Sequence, residues 1–214
     1  MSEPTIDTSE TTESARKLLQ NAQFHSSYPE PAQLPPDVGV EVAFAGRSNS
    51  GKSSAINVLC AQGNLARTSR TPGRTQHLVV FELAAQRRLV DLPGFGYAKV
   101  SKSLRAHWQR ALPEYLERRR SLAGLILLMD IRHPLKPQDE MLVSWCAKAD
   151  VRVHVLLNKS DKLSRGAANS TLLQLQRDLA KSAAHVASAQ LFSALRRRGC
   201  ETAWGVLGKW LVES

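Results

Sequence analysis

The residues with the clearest chemistry are 46–53, GRSNSGKS, which match the pattern GxxxxGK[ST] between an apolar segment ending at Ala45 and a helix-like segment. In such a loop, backbone N–H groups and the amino terminus of the following helix surround phosphate oxygens. Lys52 reaches the β- and γ-phosphates, and the Ser53 hydroxyl binds Mg²⁺. The motif predicts a nucleoside triphosphate site formed by Gly46, Arg47, Ser48, Asn49, Ser50, Gly51, Lys52 and Ser53.

A second motif, DxxG, follows at Asp91, Leu92, Pro93 and Gly94. A carboxylate at the end of a strand beside the phosphate-binding loop can support Mg²⁺ through water, and the Gly94 N–H can sense a γ-phosphate oxygen. DxxG alone is also an ordinary strand end before a Pro-Gly turn. Its order and spacing after residues 46–53 favour the nucleotide site.

A third motif, Asn158, Lys159, Ser160 and Asp161, follows the apolar segment VRVHVLL and resembles the [NT]KxD element that selects guanine. The Asp161 carboxylate can accept hydrogen bonds from guanine N1–H and the exocyclic amino group, a donor pair that adenine lacks. We expect Asn158 to brace the phosphate-binding loop and the Lys159 stem to lie over the base. Taken alone, the tetrapeptide could be an Asx-type turn ending a strand. Phe192, Ser193 and Ala194 fit the short loop whose backbone N–H reads guanine O6.

Each motif needs a strand that ends at the same edge of a sheet, and the hydropathy pattern supplies such strands. Strand-like and helix-like segments alternate along the chain, and 122–130, LAGLILLMD, is apolar on both faces as in a buried parallel strand. The pattern predicts a three-layer α/β/α fold with a mixed, mostly parallel sheet of about six strands. The predicted strands are 40–45, 76–84, 87–92, 122–130, 151–157 and 189–192, with a hairpin formed by the second and third. The predicted helices are 51–61, 101–119, 138–149, 168–182 and 201–212.

The amino-terminal 38 residues read as an extension outside this domain. Residues 1–14 are polar and predicted to be mobile, 14–24 could form a short helix, and the prolines of 28–36 predict an extended linker. We therefore divide the chain into a flexible extension and Pro-rich linker at 1–38 and a GTP-binding domain at 39–214.

Composition limits the environment and the partners. The chain has 214 residues, 29 Lys and Arg against 19 Asp and Glu, and a formal charge of +10, which becomes +14 without the first fifteen residues and their four acids. The longest apolar run has 8 residues, too short to cross a bilayer, the amino terminus has no signal-peptide pattern, and the three cysteines form no disulfide or zinc pattern. We expect a cytoplasmic protein with reduced thiols, no membrane contact and a polyanionic partner.

The sequence motifs together resemble a TRAFAC-type GTPase. Residues 68–76, TSRTPGRTQ, look like the switch I segment of Era-like GTPases, in which a threonine after Pro-Gly-x supplies a second Mg²⁺ ligand. Thr75 matches that position, and Thr71 is the second choice. The resemblance adds Gly73, Arg74, Thr75, Gln76 and His77 to the expected GTP-binding residues.

Longer segments narrow the resemblance to one family. VAFAGRSNSGKSS, LARTSRTPGRTQ, LVDLPGFGYAKV and LMDIRHPLK resemble the EngB (YihA/YsxC) family of bacterial GTP-binding proteins, over residues 39–211. The resemblance implies a monomeric cytoplasmic GTPase with slow, partner-activated hydrolysis. It further implies a role in assembly of the large ribosomal subunit, contact with the precursor and its rRNA, and a requirement for normal cell division and septation.

The sequence has no glutamine directly after the DxxG motif. Lys52, Thr75 and Gly94 are the expected catalytic residues, but Phe95 occupies the position where Ras-like enzymes carry a water-orienting glutamine. Asn49 is a further candidate, because related GTPases with asparagine there can bind K⁺. Asn49 could instead hydrogen-bond the loop alone.

Several features of the sequence fit two interpretations. The runs Arg118–Arg120 and Arg196–Arg198 fit solvated helix ends as well as contacts with rRNA phosphates. Trp204 and Trp210 fit packing better than base stacking, and His154 fits a surface or core position better than catalysis. The alternative function is a nucleotide-dependent rRNA-binding scaffold in which hydrolysis is incidental, while Asp161 argues against an ATPase or kinase.

Overall fold

The computed structural model describes residues 8–66, 77–95 and 102–213, with the backbone alone for 8 and 102–107. Strands and helices alternate along most of this chain. The strands are β1 (Gln23–Tyr28), β2 (Val40–Gly46), β3 (Leu78–Ala84), β4 (Arg87–Asp91), β5 (Leu122–Asp130), β6 (Val153–Asn158) and β7 (Ala187–Leu191). The helices are α1 (Thr8–Gln20), α2 (Lys52–Leu59), α3 (Lys102–Arg118), α4 (Pro137–Lys148), α5 (Arg165–Ser182) and α6 (Cys200–Leu211), with 3-10 turns at Pro31–Gln33 and Ser160–Lys162.

The described strands form one mixed sheet in the order β1-β3-β4-β2-β5-β6-β7. Neighbours from β4 through β7 are parallel, while β3 is antiparallel to both β1 and β4. The α/β class and the β3–β4 hairpin are therefore confirmed, but the sheet has seven strands rather than about six. Because β2, β4, β5, β6 and β7 run in parallel, their carboxyl ends meet at one edge, where such sheets bind ligands.

Strand β5 lies at the centre and is buried on both faces, as its apolar sequence predicts. Leu125 and Leu127 face a hydrophobic cluster that includes residues of α3, α4 and α5. Ile126 and Leu128 face a second cluster, which includes residues of α1, α2 and α6. The two clusters define the three layers of the fold, with the sheet between two layers of helices.

Residues 8–38 differ from the prediction of a flexible extension and linker at 1–38, of which residues 1–7 lie outside the described ranges. Helix α1 begins at Thr8 and packs against α6, and the side chains of Ala15 and Leu19 are fully buried. A Cβ on Gly208 of α6 would lie 2.6 Å from Thr11 Cγ2, so the missing side chain permits this close helix approach. The segment 1–14 looked mobile because it is polar, but one face of α1 meets an apolar face of α6.

The predicted helix at 14–24 is also wrong beyond Gln20, since residues 23–28 form strand β1. This strand pairs antiparallel with β3, from Gln23 opposite Glu82 to Tyr28 opposite Leu78. QFHSSY has little apolar alternation, and Phe24 is 61% exposed, so the sequence carries a weak strand signal. Backbone hydrogen bonds to β3 stabilise the strand, and a local sequence pattern does not reveal them.

Several minor predictions concern the core. Cys60, Cys146 and Cys200 are free and buried, and burial raises the pKa of the Cys60 thiol to about 12. His154 is 3% exposed and lies between Ser188 Oγ and Gln190 Oε1, at 2.7 and 2.9 Å, so it is a satisfied core residue.

The described part of the chain contains no helix that combines the length and hydropathy of a membrane span.

Candidate functional site

The phosphate-binding loop connects the end of β2 to the start of α2 in a tight turn. Asn49 and Gly51 adopt left-handed backbone conformations, with φ of 62° and 90°. A Cβ on Gly51 would lie 2.3 Å from Asn158 Nδ2, and one on Gly46 would lie 2.6 Å from Ser50 Oγ. Both glycines are therefore required by close approach, which leaves the loop backbone free to surround an anion.

Lys52 and Asp91 form a buried ion pair between Lys52 Nζ and Asp91 Oδ1. The pair arises because β2 and β4 are parallel neighbours, with Phe44 opposite Asp91, so β4 delivers the carboxylate beside the loop. Burial raises the pKa of Asp91, while the Lys52 charge and hydrogen bond oppose that shift. The ammonium and carboxylate thus meet at the end of the loop where phosphate is expected.

The oxygen donors at this end fit Mg²⁺. Ser53 lies in the first turn of α2, directly after Lys52, and Asp91 ends β4. A hydroxyl and a carboxylate are hard oxygen ligands, and Mg²⁺ usually keeps several waters and substrate phosphates as its other ligands. Ser53 would bind the ion directly, and Asp91 would hold it through water.

The DxxG motif contacts the phosphate-binding loop directly. Phe95 and Arg47 form a parallel bridge, in which the Ser48 N–H donates to the Phe95 carbonyl at 2.9 Å. A Cβ on Gly94 would lie 3.8 Å from the Gly46 carbonyl and 3.9 Å from the Ser48 backbone, so Gly94 lies in van der Waals reach of the loop. The backbone at Gly94 and Phe95 is therefore positioned to respond to a ligand in the loop.

Asn158 ties the predicted guanine loop to the phosphate-binding loop. Its Nδ2 donates to the Ser50 carbonyl at 2.8 Å, and its Oδ1 accepts from the N–H groups of Lys159 and Ala194, at 2.8 and 3.1 Å. The side chain is buried. One amide group thus joins three of the loops that the sequence assigned to the site.

Asp161 lies in the 3-10 turn after β6, where Ser193 Oγ donates to its Oδ1. This hydrogen bond lowers the pKa of Asp161, so the carboxylate is ionised at neutral pH. Lys159 extends across to the phosphate-binding loop, with its Nζ donating to the Asn49 carbonyl at 2.6 Å. Its stem therefore spans the gap between the phosphate end and the base end of the site.

Two acidic groups near the site were not predicted from the sequence. Asp130 at the end of β5 accepts from Arg132 at 2.6 Å and lies 2.9 Å from Lys159 Nζ. These contacts outweigh burial and lower the pKa of Asp130. Asp139 in the first turn of α4 is 1% exposed, and burial raises its pKa to about 6. An aspartate closing an apolar strand could have indicated Asp130, whereas Asp139 carried no local signal.

Not every expected residue falls within the described ranges. Gly73, Arg74, Thr75, Gln76 and Thr71 lie outside them, so the assignment of a second Mg²⁺ ligand stays a prediction. His77 is exposed directly before β3. Phe192 and Ser193 are buried after β7, next to the guanine loop, where the Ser160 N–H donates to the Phe192 carbonyl at 3.1 Å.

Comparison with known proteins agrees with this geometry. The sequence model of a family described as "50S ribosome-binding GTPase" matches residues 41–159. The chain is 55% identical over 177 residues to the probable GTP-binding protein EngB of Methylococcus capsulatus, covering 83% of this chain and 84% of that protein. It is 48% identical over 194 residues to the probable GTP-binding protein EngB of Stenotrophomonas maltophilia, covering 91% and 97%.

Solved structures share the fold. The crystal structure of a probable GTP-binding protein EngB has a TM-score of 0.61 at 19% identity and covers 82% of this chain and 100% of its own. Era in complex with MgGDPNP and a 16S ribosomal RNA fragment has a TM-score of 0.62 at 24% identity, covering 82% and 57%. Sequence identity over nearly the full length, with the matched GTPase domain, shows that the chain belongs to the EngB family of GTP-binding proteins.

Proposed function

We propose that this protein binds GTP and Mg²⁺ at the carboxyl edge of its sheet, hydrolyses GTP slowly until a partner stimulates it, and uses its nucleotide state to control docking on the precursor of the large ribosomal subunit. The observation that best supports GTP is the Asn158 side chain, which bonds to both the phosphate-binding loop and the Ala194 loop. This side chain would hold the phosphate-binding loop and the proposed base-reading loop together as one site.

The base end has the donors and acceptors that guanine requires. Ionised Asp161 would accept hydrogen bonds from guanine N1–H and the exocyclic amino group. The backbone N–H of Ala194 or a neighbour would donate to O6, and the stem of Lys159 would cover one face of the base. Adenine would offer the Asp161 carboxylate no such donor pair, and a carboxylate without these hydrogen bonds from the base is costly in a partly enclosed site.

The phosphate end would act by charge neutralisation. Lys52 would exchange its bond with Asp91 for the β- and γ-phosphates, and the Gly94 N–H would donate to a γ-phosphate oxygen. Ser53 and Thr75 would hold Mg²⁺, which when bound neutralises charge on the phosphate oxygens, and Asp91 would hold one of its waters. Loss of the γ-phosphate on hydrolysis would release Gly94 and Thr75, and so change the surface offered to the ribosome.

Slow hydrolysis follows from Phe95, whose apolar side chain cannot orient an attacking water. Asn49 is the nearest candidate for polar help: its side chain is exposed, and among the described residues it accepts and donates no side-chain hydrogen bond. We expect Asn49 to help bind K⁺ beside the phosphates. Single-turnover GTP hydrolysis should then be about 10-fold faster in K⁺ than in Na⁺, and Asn49→Ala should remove the difference. Equal rates in the two salts would exclude this role.

The ribosomal part of the proposal rests on the family description and on charge. Much of the formal charge of +10 is in excess of what one nucleotide neutralises, so a second polyanion is expected. Ribosomal RNA in the cytoplasm fits, and disturbed division and septation would follow from a shortage of large subunits. We expect the protein to act as a monomer.

The decisive experiment is co-sedimentation of the full chain with large-subunit precursor particles in GDP, GTP and a non-hydrolysable GTP analogue. The analogue should give the most bound protein, and GDP the least. Equal binding in all three states would contradict nucleotide-controlled docking. Rescue of subunit assembly by Lys52→Ala, which should not hold phosphate, would instead favour the scaffold that does not need hydrolysis.

A further inference from the structure

The two arginine runs have different roles in the structure. In the first run, Arg119 donates to both carboxylate oxygens of buried Glu41 and to the Pro35 carbonyl, at 2.9 to 3.0 Å. Arg118 pairs with Glu114 at 3.1 Å. Arg119 therefore anchors the end of α3 to the body of the protein, while Arg118 and Arg120 are exposed on either side of it.

The second run is fully available. Arg196, Arg197 and Arg198 are all exposed, and none has a carboxylate within ion-pair distance among the described residues. Two acids lie nearby without forming an ion pair with the run: Asp161 accepts from Ser193 and is lowered in pKa by the charge of Arg196, and Glu201 follows the loop in the first turn of α6. Three adjacent guanidinium groups without an acidic partner repel each other, so an anion bound here would relieve that repulsion.

The loop that carries these arginines is held in one conformation. Ser193 and Arg198 exchange two backbone hydrogen bonds, each 3.1 Å, which close the turn between them. Gln190 Nε2 donates to the Gly199 carbonyl at 2.7 Å, and a Cβ on Gly199 would lie 2.4 Å from the Leu191 carbonyl. Because the backbone is already ordered, binding through this loop costs little further backbone entropy.

The loop also adjoins the nucleotide site. Ser193, its first residue, donates to the guanine-selecting Asp161, and Arg196 is close enough to help lower the pKa of that carboxylate. Lys162 and Arg165 add exposed positive charge at the same edge of the sheet, directly after the guanine loop. The positive surface and the base end of the site therefore share one set of loops.

We propose that residues 196–198 bind phosphates of ribosomal RNA when the protein docks on the large-subunit precursor. The inference rests on the proposed function and assigns its RNA contact to the loop between β7 and α6. A guanidinium group donates two parallel hydrogen bonds to a phosphate, which suits three arginines on a rigid loop. The three exposed cations of 196–198 outnumber the exposed acid Glu201 and the exposed apolar Leu195 beside them, which favours RNA over a protein partner.

The test compares two triple variants that remove the same charge. The first is Arg196→Gln, Arg197→Gln, Arg198→Gln, and the second is Arg118→Gln, Arg120→Gln, Arg152→Gln, three exposed arginines near the opposite edge of the sheet. Neither set includes a residue of the nucleotide site. Both variants should bind a fluorescent GDP within about twofold of the unchanged protein, which checks that they are folded.

Binding to large-subunit particles and to protein-free large-subunit rRNA would be measured over a series of salt concentrations. The loop variant should bind both at least about 10-fold more weakly, and its slope of log affinity against log salt should fall by about 2 to 3. The control variant should keep most of the affinity, because its arginines do not contact RNA.

Each other outcome overturns the inference in a recognisable way. Equal weakening by both variants would mean that only net charge matters. A loop variant that loses particles but still binds protein-free rRNA normally would mean that the loop contacts a ribosomal protein. If the unchanged protein binds particles in no nucleotide state, the proposed function itself fails, whereas normal particle binding by the loop variant rejects only the loop.

Discussion

Replacing Asp161 by asparagine is expected to weaken GTP binding by at least about 100-fold and to shift preference toward xanthosine triphosphate. In the proposed site the carboxylate would accept from two guanine donors, whereas an asparagine amide would turn one acceptor into a donor that faces a donor. Losing a charge-assisted hydrogen bond and leaving a polar group unpaired costs about 3 kcal/mol, which corresponds to the stated factor. Xanthine carries a carbonyl in place of the amino group and would pair with the amide. Competition against a fluorescent guanine nucleotide measures both effects.

A matched control is Asp178→Asn on α5. Asp178 is a surface carboxylate that accepts from Gln174 and Lys181, at 3.0 and 2.7 Å. The same chemical change there should leave GTP affinity unchanged. If Asp161→Asn binds GTP as well as the control does, the turn after β6 is not the base-reading loop.

The places of the candidate site residues in the fold were predictable from the sequence because these residues belong to local motifs at strand ends. Residues 46–53, Asp91 and Asn158 each follow an apolar segment, and parallel pairing alone brings such ends together. The buried strand β5 was predictable for a similar reason, since both of its faces are apolar. Such patterns can be recognised within a short stretch of sequence, without knowing which distant residues will pack against it.

What the sequence did not predict depends on partners far away in the chain. Strand β1 exists because β3 offers a free edge, and α1 is ordered because Gly208 lets it approach α6. Asp139 is 1% exposed, and besides its neighbour Lys136 the charge of Arg47, far away in the chain, acts on its carboxyl group. Polar or weakly patterned segments acquire structure through such contacts, and local propensity does not record them.

A buried polar network at the amino-terminal end of β2 explains why the Pro-rich segment is held in place. Glu41 of β2 is fully buried and accepts from Tyr115 Oη at 2.8 Å and from Arg119. Arg88 Nε lies 3.4 Å from the same carboxylate, and its guanidinium donates to the carbonyls of Pro36 and Val38. One carboxylate thus balances two arginines that bind the chain just before β2.

Glu41→Ala is therefore expected to lower the free energy of unfolding by about 3–5 kcal/mol, the range for breaking a buried ion pair by removing one partner. The main cost is that Arg88 loses its carboxylate partner and Arg119 keeps Asp37 alone, at 3.5 Å, together with an unpaired Tyr115 hydroxyl. In a chain of this size the melting temperature should fall by about 6–20 °C. Thermal and urea unfolding followed by circular dichroism measure the change.

Glu82→Ala provides the comparison, because Glu82 is an exposed strand residue whose carboxylate lies 3.8 Å from His25 in a weak surface contact. The same substitution there should cost at most about 1 kcal/mol. Limited proteolysis adds a second reading, since loss of the Glu41 network should expose the 35–38 segment to cleavage before the rest of the chain unfolds. Equal melting temperatures and equal resistance to cleavage for Glu41→Ala and Glu82→Ala would contradict this prediction. The contacts of Arg88 and Arg119 with backbone carbonyls would then hold the segment without the carboxylate.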